Sequence, residues 1–236
     1  VADIDSRMYP SLESMRDMDQ QQTDKPFFLC EYAHAMGNAI GNLAEYWDYI
    51  ENHSNRMIGG CIWDWVDQGL NRYGDLPNHY YFGGGFLDKP NDLDFCCNGI
   101  VTSDRQVTPK LLEVKKIYQY IKFKTVDLNA GKFLFTNKYD FLHLNQFVLN
   151  WQIMKDGKSI ENGVMPFGDI APNGTVEMTI PYQTKLEKDS EYFLNLSITL
   201  KNDCVWAKAG YEVASEQFAL TPKVAVPAVD TSYASI

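Results

Sequence analysis

Residues 25–50, KPFFLCEYAHAMGNAIGNLAEYWDYI, decide how the first half of this chain folds. The apolar run at 25–30 ends in a turn, which is typical of a parallel strand covered on both faces. At 42–52 the apolar residues recur at spacings of three and four, which predicts an amphipathic helix. A buried strand followed by such a helix is the repeating unit of parallel α/β folds.

The same pattern continues on both sides of this stretch. Residues 3–9 (DIDSRMY) and 57–65 (MIGGCIWDW) are further strand candidates, and 110–121 (KLLEVKKIYQYI) has helical periodicity after a proline. Residues 69–94 are rich in Gly, Pro, Asn and Asp and are too long for a simple connector, so we expect a functional or disordered loop there. Because a complete (β/α)8 barrel takes about 250 residues, the 236 residues of this chain cannot hold one together with a second domain.

After residue 122 the apolar residues alternate with a period of two. About seven short strands, with Trp151 on an inner one, predict a β-sandwich of the immunoglobulin type. Asp156-Gly157 predicts a hairpin turn between two of these strands. We therefore predict a first domain at 1–121, a sandwich at 122–224 and a linker at 225–236.

The composition is that of a globular protein, with 45% apolar and 22% charged residues, and excludes a disordered, collagen-like or coiled-coil chain. The net charge is −10 and no basic cluster interrupts the acidic background, so we expect neither nucleic acid nor anionic membrane as a partner. No apolar run approaches the roughly 20 residues that a membrane span needs. The opening VADIDSRMYP has no initiator Met and no visible signal peptide, and we expect that the chain begins inside a longer protein.

The cysteines indicate free thiols rather than a disulfide framework. There are five of them, an odd number without CxxC spacing, and most lie in apolar runs, which predicts burial. They are Cys30, Cys61, Cys96, Cys97 and Cys204. Free thiols favour a reducing compartment, hence a cytoplasmic over a periplasmic location.

The side chains that could carry chemistry follow the predicted strands. Glu31 stands directly after the strand at 25–30, and active sites of parallel barrels lie at the carboxyl ends of the strands. Trp63 closes the next strand, and His34 lies in the loop after Glu31. Aromatic rings among polar groups suit a sugar, which has one apolar face and a rim of hydroxyls. On the residues alone, a solvated strand-end Glu, a core Trp and a structural His remain the alternatives.

The stretch at 95–99, FCCNG, offers a second kind of chemistry. Its backbone carbonyls and the amide oxygen of Asn98 are hard ligands, which alkali and alkaline-earth cations accept. An ordinary turn is the structural alternative.

Three stretches, taken in order, resemble the active-site region of the large bacterial β-galactosidases of glycoside hydrolase family 2, which also contains β-glucuronidases and β-mannosidases. They are residues 25–50, 59–70 (GGCIWDWVDQGL) and 82–105 (FGGGFLDKPNDLDFCCNGIVTSDR), and CEYAHAMGN is the most specific motif. The resemblance continues more weakly through the sandwich as the immunoglobulin-like domain of that family. It implies that residues 1–121 contribute the last three of the eight strands of a TIM barrel.

The resemblance also implies roles for individual residues. Glu31 matches the nucleophile that forms a galactosyl-enzyme ester, and Tyr9 matches the tyrosine that hydrogen-bonds it. His34 matches a contact to the galactose hydroxyls, and Trp63 matches the ring under the apolar face of the sugar. The implied partner is therefore a β-galactoside, hydrolysed with retention of configuration by an enzyme that we expect to be a homo-oligomer.

Two cations enter through the same resemblance. The carbonyl of Phe95 and the side chain of Asn98 match ligands of a sodium ion that also touches the sugar. The magnesium ion of the family lies beside the acid/base Glu, which an Asn precedes, and no Asn-Glu pair occurs before Glu31. The magnesium ligands and the third sodium ligand are likewise expected outside this chain. Gly85 departs from the pattern, since the best-known members carry Asp there.

We therefore expect the isolated chain to lack turnover, because half of the carboxylate pair is missing. Two other interpretations of the chain remain open at this point. One is a non-catalytic carbohydrate-binding or structural module, which predicts an exposed aromatic platform on the sandwich. The other is a sister activity on glucuronides or mannosides.

Overall fold

The computed structural model describes residues 2–72, 74 and 76–221. The chain divides into two compact units, Val1–Tyr118 and Gln119–Ile236. The predicted linker at 225–236 and the last residues of the predicted sandwich, 222–224, lie outside the described part.

The first unit contains a three-stranded parallel sheet in the order β1-β2-β3. Helices follow β1 and β2, as expected of βα units, and the third helix comes after the long loop. The elements are β1 (Asp5–Met8), α1 (Leu12–Asp19), β2 (Phe27–Tyr32), α2 (Leu43–Asn52), β3 (Met57–Ile62), a 3₁₀ turn (Leu93–Cys96) and α3 (Pro109–Ile117). The sheet is open and does not close into a barrel.

Two helices differ from the sequence prediction. The sequence pattern does not predict α1, because its eight residues include few apolar side chains. In the structure Ser11 caps this helix by accepting from Ser14 N at 3.1 Å, and Met15 is fully buried. The helix predicted at 110–121 ends at Ile117. The chain extends directly afterwards into the first strand of the second unit, so the apolar residues that follow α3 belong to a strand.

The helices cover one face of the parallel sheet and form the core of the first unit. That core consists of Met15, Phe27, Leu29, Tyr32, Ala35, Leu43, Tyr49, Ile50, Met57, Ile100 and Val114. On the opposite face Phe28 is half-buried, and Cys30 and Ile58 are exposed. The prediction that β2 is buried on both faces is therefore wrong for this chain.

The five cysteines are free, as predicted, but the expected burial is wrong for three of them. Cys30 and Cys61 are exposed on the strands of the open sheet, and Cys204 is exposed in a loop of the sandwich. Cys96 and Cys97 are half-buried. Burial raises the pKa of the Cys97 thiol to about 11, with a further contribution from the neighbouring Cys96.

The second unit is a sandwich of two antiparallel sheets in the orders β10-β9-β6-β7 and β4-β5-β8. Its strands are β4 (Ile121–Asp127), β5 (Lys132–Asn137), β6 (Phe147–Lys155), β7 (Lys158–Pro166), β8 (Thr175–Thr179), β9 (Tyr192–Leu200) and β10 (Glu212–Ala219). Buried and half-buried residues alternate along β6 and β9, and Trp151 lies in the core with 6% exposure. Asp156 and Gly157 have positive φ angles of 47° and 77°, as the predicted hairpin turn between β6 and β7 requires.

Asn137 at the end of β5 fastens the loops at one end of the sandwich. The residue is fully buried, and its side-chain nitrogen donates to Leu142 O at 2.8 Å, Ala171 O at 3.0 Å and Ile170 O at 3.2 Å. Its side-chain oxygen accepts from Tyr139 N at 3.0 Å. A buried amide with these partners is satisfied, and its removal would take the side-chain donor from Leu142 O and the acceptor from Tyr139 N.

Candidate active site

A β-bulge in β2 sets the direction of Glu31. β1 pairs with β2 residue by residue as far as Leu29 and then skips Cys30. Between Leu29 and Tyr32, β2 likewise has one residue more than the part of β3 with which it pairs. Strict alternation would place Leu29 and Glu31 on the same helix-covered face. Because of the extra residue, Leu29 and Tyr32 both pack in the core at 0% and 1% exposure, and Glu31 is left half-buried at the strand end.

The side chain of Tyr9 lies beside the carboxylate of Glu31. Tyr9 follows β1, has a positive φ of 46°, and its backbone N donates to Glu31 O at 2.9 Å. Burial, then the hydrogen bond to Glu31 and the charge of that carboxylate, raise the pKa of Tyr9 above its ordinary value of 10.0. Tyr9 is 40% exposed, so its desolvation is only partial. With its pKa raised, the Tyr9 hydroxyl is protonated at neutral pH.

The imidazole of His34 lies between two aromatic rings. It meets the Tyr9 ring edge-on with centroids 5.9 Å apart, and it stacks on the Phe95 ring at 5.6 Å. Phe95 is 57% exposed. The three rings therefore form a row beside Glu31, with the outer ring open to solvent.

Trp63 joins this site through the backbone. Its N donates to Tyr32 O at 3.0 Å, and its O accepts from Ala35 N at 2.7 Å. The loop after β2 is thereby fastened to the end of β3. Trp63 itself is half-buried, and together with Glu31 and His34 it lies at the carboxyl edge of the parallel sheet.

Asn98 is held next to Phe95 by contacts that sequence reasoning did not find. Asn98 is 3% exposed, and its Nδ2 donates to Phe95 O at 3.2 Å. Gln68 Nε2 reaches Asn98 Oδ1 at 3.4 Å and Asp64 Oδ2 at 2.8 Å, and Asp64 N donates to Asn98 O at 2.7 Å. Gln68 is 30 residues from Asn98 in the chain, so no local pattern indicates this contact.

Gly99 allows the Asn98 segment to lie against the chain that leaves β3. Its N donates to Asp67 Oδ1 at 2.8 Å. A Cβ on Gly99 would stand 2.0 Å from Asp67 N and 2.3 Å from the carbonyl carbon of Val66. Only glycine permits this approach, so Gly99 fixes the distance between the two segments.

The long loop at 69–94 is folded, in its described part, around Arg72. The guanidinium lies 5.1 Å from the ring centroid of Tyr81 and 5.0 Å from that of Phe86. A Cβ on Gly85 would stand 2.7 Å from the Cβ of Tyr81. An Asp at position 85 would therefore displace Tyr81.

The Phe95 carbonyl and the Asn98 side chain are the predicted ligands of a cation. Over the residues that the structure describes, no group of three or more His, Cys, Asp or Glu side chains could hold a metal ion. The Phe95 carbonyl oxygen and the Asn98 amide oxygen are hard, neutral ligands, which alkali and alkaline-earth cations accept. In the structure Asn98 Nδ2 donates to Phe95 O. A cation bound by both residues would therefore require a flip of the Asn98 amide, so that Oδ1 takes the place of Nδ2.

Each of the two units matches a known family model. Residues 1–123 match the family model described as "Glycosyl hydrolases family 2, TIM barrel domain". The chain belongs to glycosyl hydrolase family 2. Residues 133–221 match "Beta-galactosidase, domain 4". The predicted fold class, part of a TIM barrel followed by an immunoglobulin-like β-sandwich, is confirmed for this family 2 chain.

The curated relatives of this family 2 chain are much longer than the chain itself. The β-galactosidase of Priestia megaterium is 40% identical over 239 residues, which cover 100% of this chain and 23% of that protein. The β-galactosidase of Alteromonas mediterranea is 35% identical, over 98% of this chain and 22% of its own length. The chain thus spans less than a quarter of these relatives.

One solved structure is much less similar to this chain than the curated relatives are. The exo-chitosanase CsxA of Amycolatopsis orientalis aligns with 74% of this chain and 17% of its own, at a TM-score of 0.34 and 11% identity. Within the described part of this family 2 chain, none of the helices has the length and apolarity to cross a membrane.

The structure brings the six predicted site residues of this family 2 chain to one edge of the first unit. Tyr9, Glu31, His34 and Phe95 are joined by direct side-chain contacts. Asn98 contacts Phe95, and Trp63 is joined through the loop that carries His34. Their chemical roles stay predictions.

Proposed function

We propose that this chain is the part of a retaining β-galactosidase that carries the nucleophile. The observation that supports this most is the placement of Tyr9 and the ring of His34 beside Glu31, in a chain whose curated relatives are named β-galactosidase. A carboxylate that is fixed by a tyrosine and flanked by aromatic rings is what attack on a sugar requires.

The proposed reaction is a double displacement. Glu31 attacks the anomeric carbon, so that an ester bond forms while the glycosidic C–O bond breaks and the leaving group takes a proton from a general acid. In the second step that same acid, now a base, removes a proton from water, which attacks the anomeric carbon and releases Glu31. The two carboxyl groups of a retaining enzyme stand about 5–5.5 Å apart. We assign the second one to polypeptide outside residues 1–236.

The remaining site residues would orient the sugar. Trp63 would pack under the apolar face of the ring, and His34 would bind its hydroxyls, since its imidazole is held by Tyr9 and Phe95. Hydrogen bonds to individual hydroxyls are the physical basis for telling galactose from its epimers.

A sodium ion is proposed next to this site. Phe95 O and Asn98 Oδ1 would hold it, and the ion would supply positive charge for a sugar hydroxyl. Its third ligand and the ligands of a magnesium ion are assigned to polypeptide beyond this chain. The full-length enzyme is proposed to be a homo-oligomer.

A carbohydrate-binding module is a second candidate, and one observation favours it. Trp206 lies between β9 and β10, is 66% exposed, and meets the ring of Tyr211 edge-on at 5.4 Å. Galactosides that quench tryptophan fluorescence in the 236-residue chain, but not in its Trp206→Ala variant, would support this candidate. If the chain binds no galactoside, the carbohydrate-binding module is excluded and the enzyme remains as the candidate function.

The enzyme is tested with Glu31→Gln in the full-length protein, with Glu45→Gln as the matched control. Glu45 is exposed on α2. We expect Glu31→Gln to abolish release of nitrophenol from a nitrophenyl β-galactoside and Glu45→Gln to preserve it. A 2-deoxy-2-fluorogalactoside should label the peptide that contains Glu31. A preference for a glucuronide or mannoside would establish a sister activity, and turnover by the isolated 236-residue chain would contradict the missing acid/base.

A further inference from the structure

The first turn of α3 departs twice from the usual chemistry of a helix start. Thr108 occupies the N-cap position but makes no cap hydrogen bond with its side chain, unlike Ser11 of α1. Lys110 follows Pro109 and adds a positive charge at the end of the helix where the dipole is already positive. The first turn contains no acidic residue that would offset this charge. Such local conflicts occur where a residue serves something other than its own helix.

Lys110 contacts the loop that carries His34. Its Nζ donates to Ala35 O at 2.7 Å in a partly buried position. Ala35 is fully buried and its N donates to Trp63 O at 2.7 Å. The peptide group between His34 and Ala35 is therefore held by the end of β3, and the next one, between Ala35 and Met36, is held by the ammonium of Lys110 on α3. A hydrogen bond from a charged donor is stronger than one between neutral groups.

Thr108 contacts the other site segment. Its hydroxyl donates to Ile100 O at 2.5 Å. Ile100 is 3% exposed, and its N donates to Asp64 O at 2.9 Å. Because Ile100 lies two residues after Asn98, this bond fixes the segment on which Asn98 stands.

We propose that Thr108 and Lys110 are positioning residues of the active site. The first turn of α3 ties the His34 loop and the Asn98 segment to one rigid support. The helix is itself anchored, since Val114 packs in the same core cluster as Ala35. This inference rests on the proposed function, because it assigns these residues to the same sugar-binding site.

The first test is Lys110→Met in the full-length enzyme, because methionine keeps the apolar stem and removes the donor. We expect kcat/KM for nitrophenyl β-galactoside to fall on the order of tenfold, since small displacements of binding groups are costly. Lys110→Arg should restore most of the activity, and Thr108→Val should lower it as Lys110→Met does. The control is Lys25→Met, which removes a similar bond, from Lys25 Nζ to Ala2 O at 2.9 Å, at the opposite end of β2. It should stay within about twofold of the unaltered enzyme.

A double-mutant cycle with His34→Ala distinguishes positioning from general stabilisation. If Lys110 acts through His34, Lys110→Met should cost less than about twofold once His34 is absent. A tenfold loss in both backgrounds, or activity of Lys110→Met equal to that of the unaltered enzyme, would overturn the inference. If the unaltered full-length enzyme hydrolyses no galactoside, the proposed function is wrong. This result differs from both outcomes that would overturn the positioning role of Lys110.

Discussion

Met8 of β1 pairs with Glu31 of β2, although its neighbour Arg7 pairs with Leu29. The skipped residue, Cys30, makes the bulge that leaves Glu31 outside the helix-covered core. Tyr32 holds the strand end in place just beyond Glu31. It is 1% exposed, accepts from Trp47 Nε1 at 2.8 Å and shares a short hydrogen bond with Tyr118.

The burial of Tyr32 predicts a pH-dependent stability. Burial first, and then the hydrogen bond with Tyr118, raise the pKa of Tyr32 above 10.0 in the folded state. A raised pKa stabilises the folded protein fully below the unfolded value of about 10 and progressively less above it. Tyr32→Phe should destabilise the chain by about 1–3 kcal/mol at pH 8. This difference should shrink by about 1.4 kcal/mol for each pH unit above 10.

Urea unfolding of the 236-residue chain and of Tyr32→Phe between pH 8 and 11 measures this effect. Tyr120→Phe, which alters a half-exposed ring on the sandwich, is the control. A difference between the unaltered chain and Tyr32→Phe that stays constant up to pH 11 would contradict the prediction.

Tyr9→Phe should lower the kcat of the full-length enzyme on the order of 10²-fold, because a preorganised donor to a reacting group is lost. The thermal midpoint should change little, since Tyr9 is 40% exposed. Steady-state kinetics with a nitrophenyl β-galactoside checks the effect. A kcat within threefold of the unaltered enzyme, as expected of Tyr120→Phe, would count against a role for the hydroxyl.

Gly99→Ala should lower kcat/KM by at least about tenfold, because its Cβ would stand 2.0 Å from Asp67 N and push Asn98 out of place. Gly41→Ala is the matched control. Gly41 lies in the loop after β2 and has nothing within 4 Å of an added Cβ, so this variant should retain its activity. Equal activity of the two variants would refute a positioning role for Gly99.

Asn137→Ala should destabilise the sandwich by about 1–3 kcal/mol, because Leu142 O loses its donor and Tyr139 N loses its acceptor. Asn162→Ala, at an exposed position of β7, should stay within about 0.5 kcal/mol. Urea unfolding, with hydrogen exchange followed in the β5 peptides, measures both. Similar losses of stability in the two variants would show that the buried amide of Asn137 contributes no more to stability than the exposed amide of Asn162.

The sequence by itself determined the broad architecture and most of the site. Period-two alternation predicts the sandwich, since every strand there has one face on the core. The stretch at 25–50 predicts strand, site loop and helix in one piece, and its resemblance to family 2 points to Glu31 and His34. These features are local, so a local pattern is enough to show them.

Only the tertiary structure decided how the site is held. The bulge at Cys30 arises because Leu29 and Tyr32 both enter the core, which no strand periodicity reveals. The exposure of Cys30 follows from a sheet that is open and covered on one face only. Lys110 meets Ala35 across 75 residues, and a contact over that distance depends on how helix α3 packs, which the order of residues alone does not state.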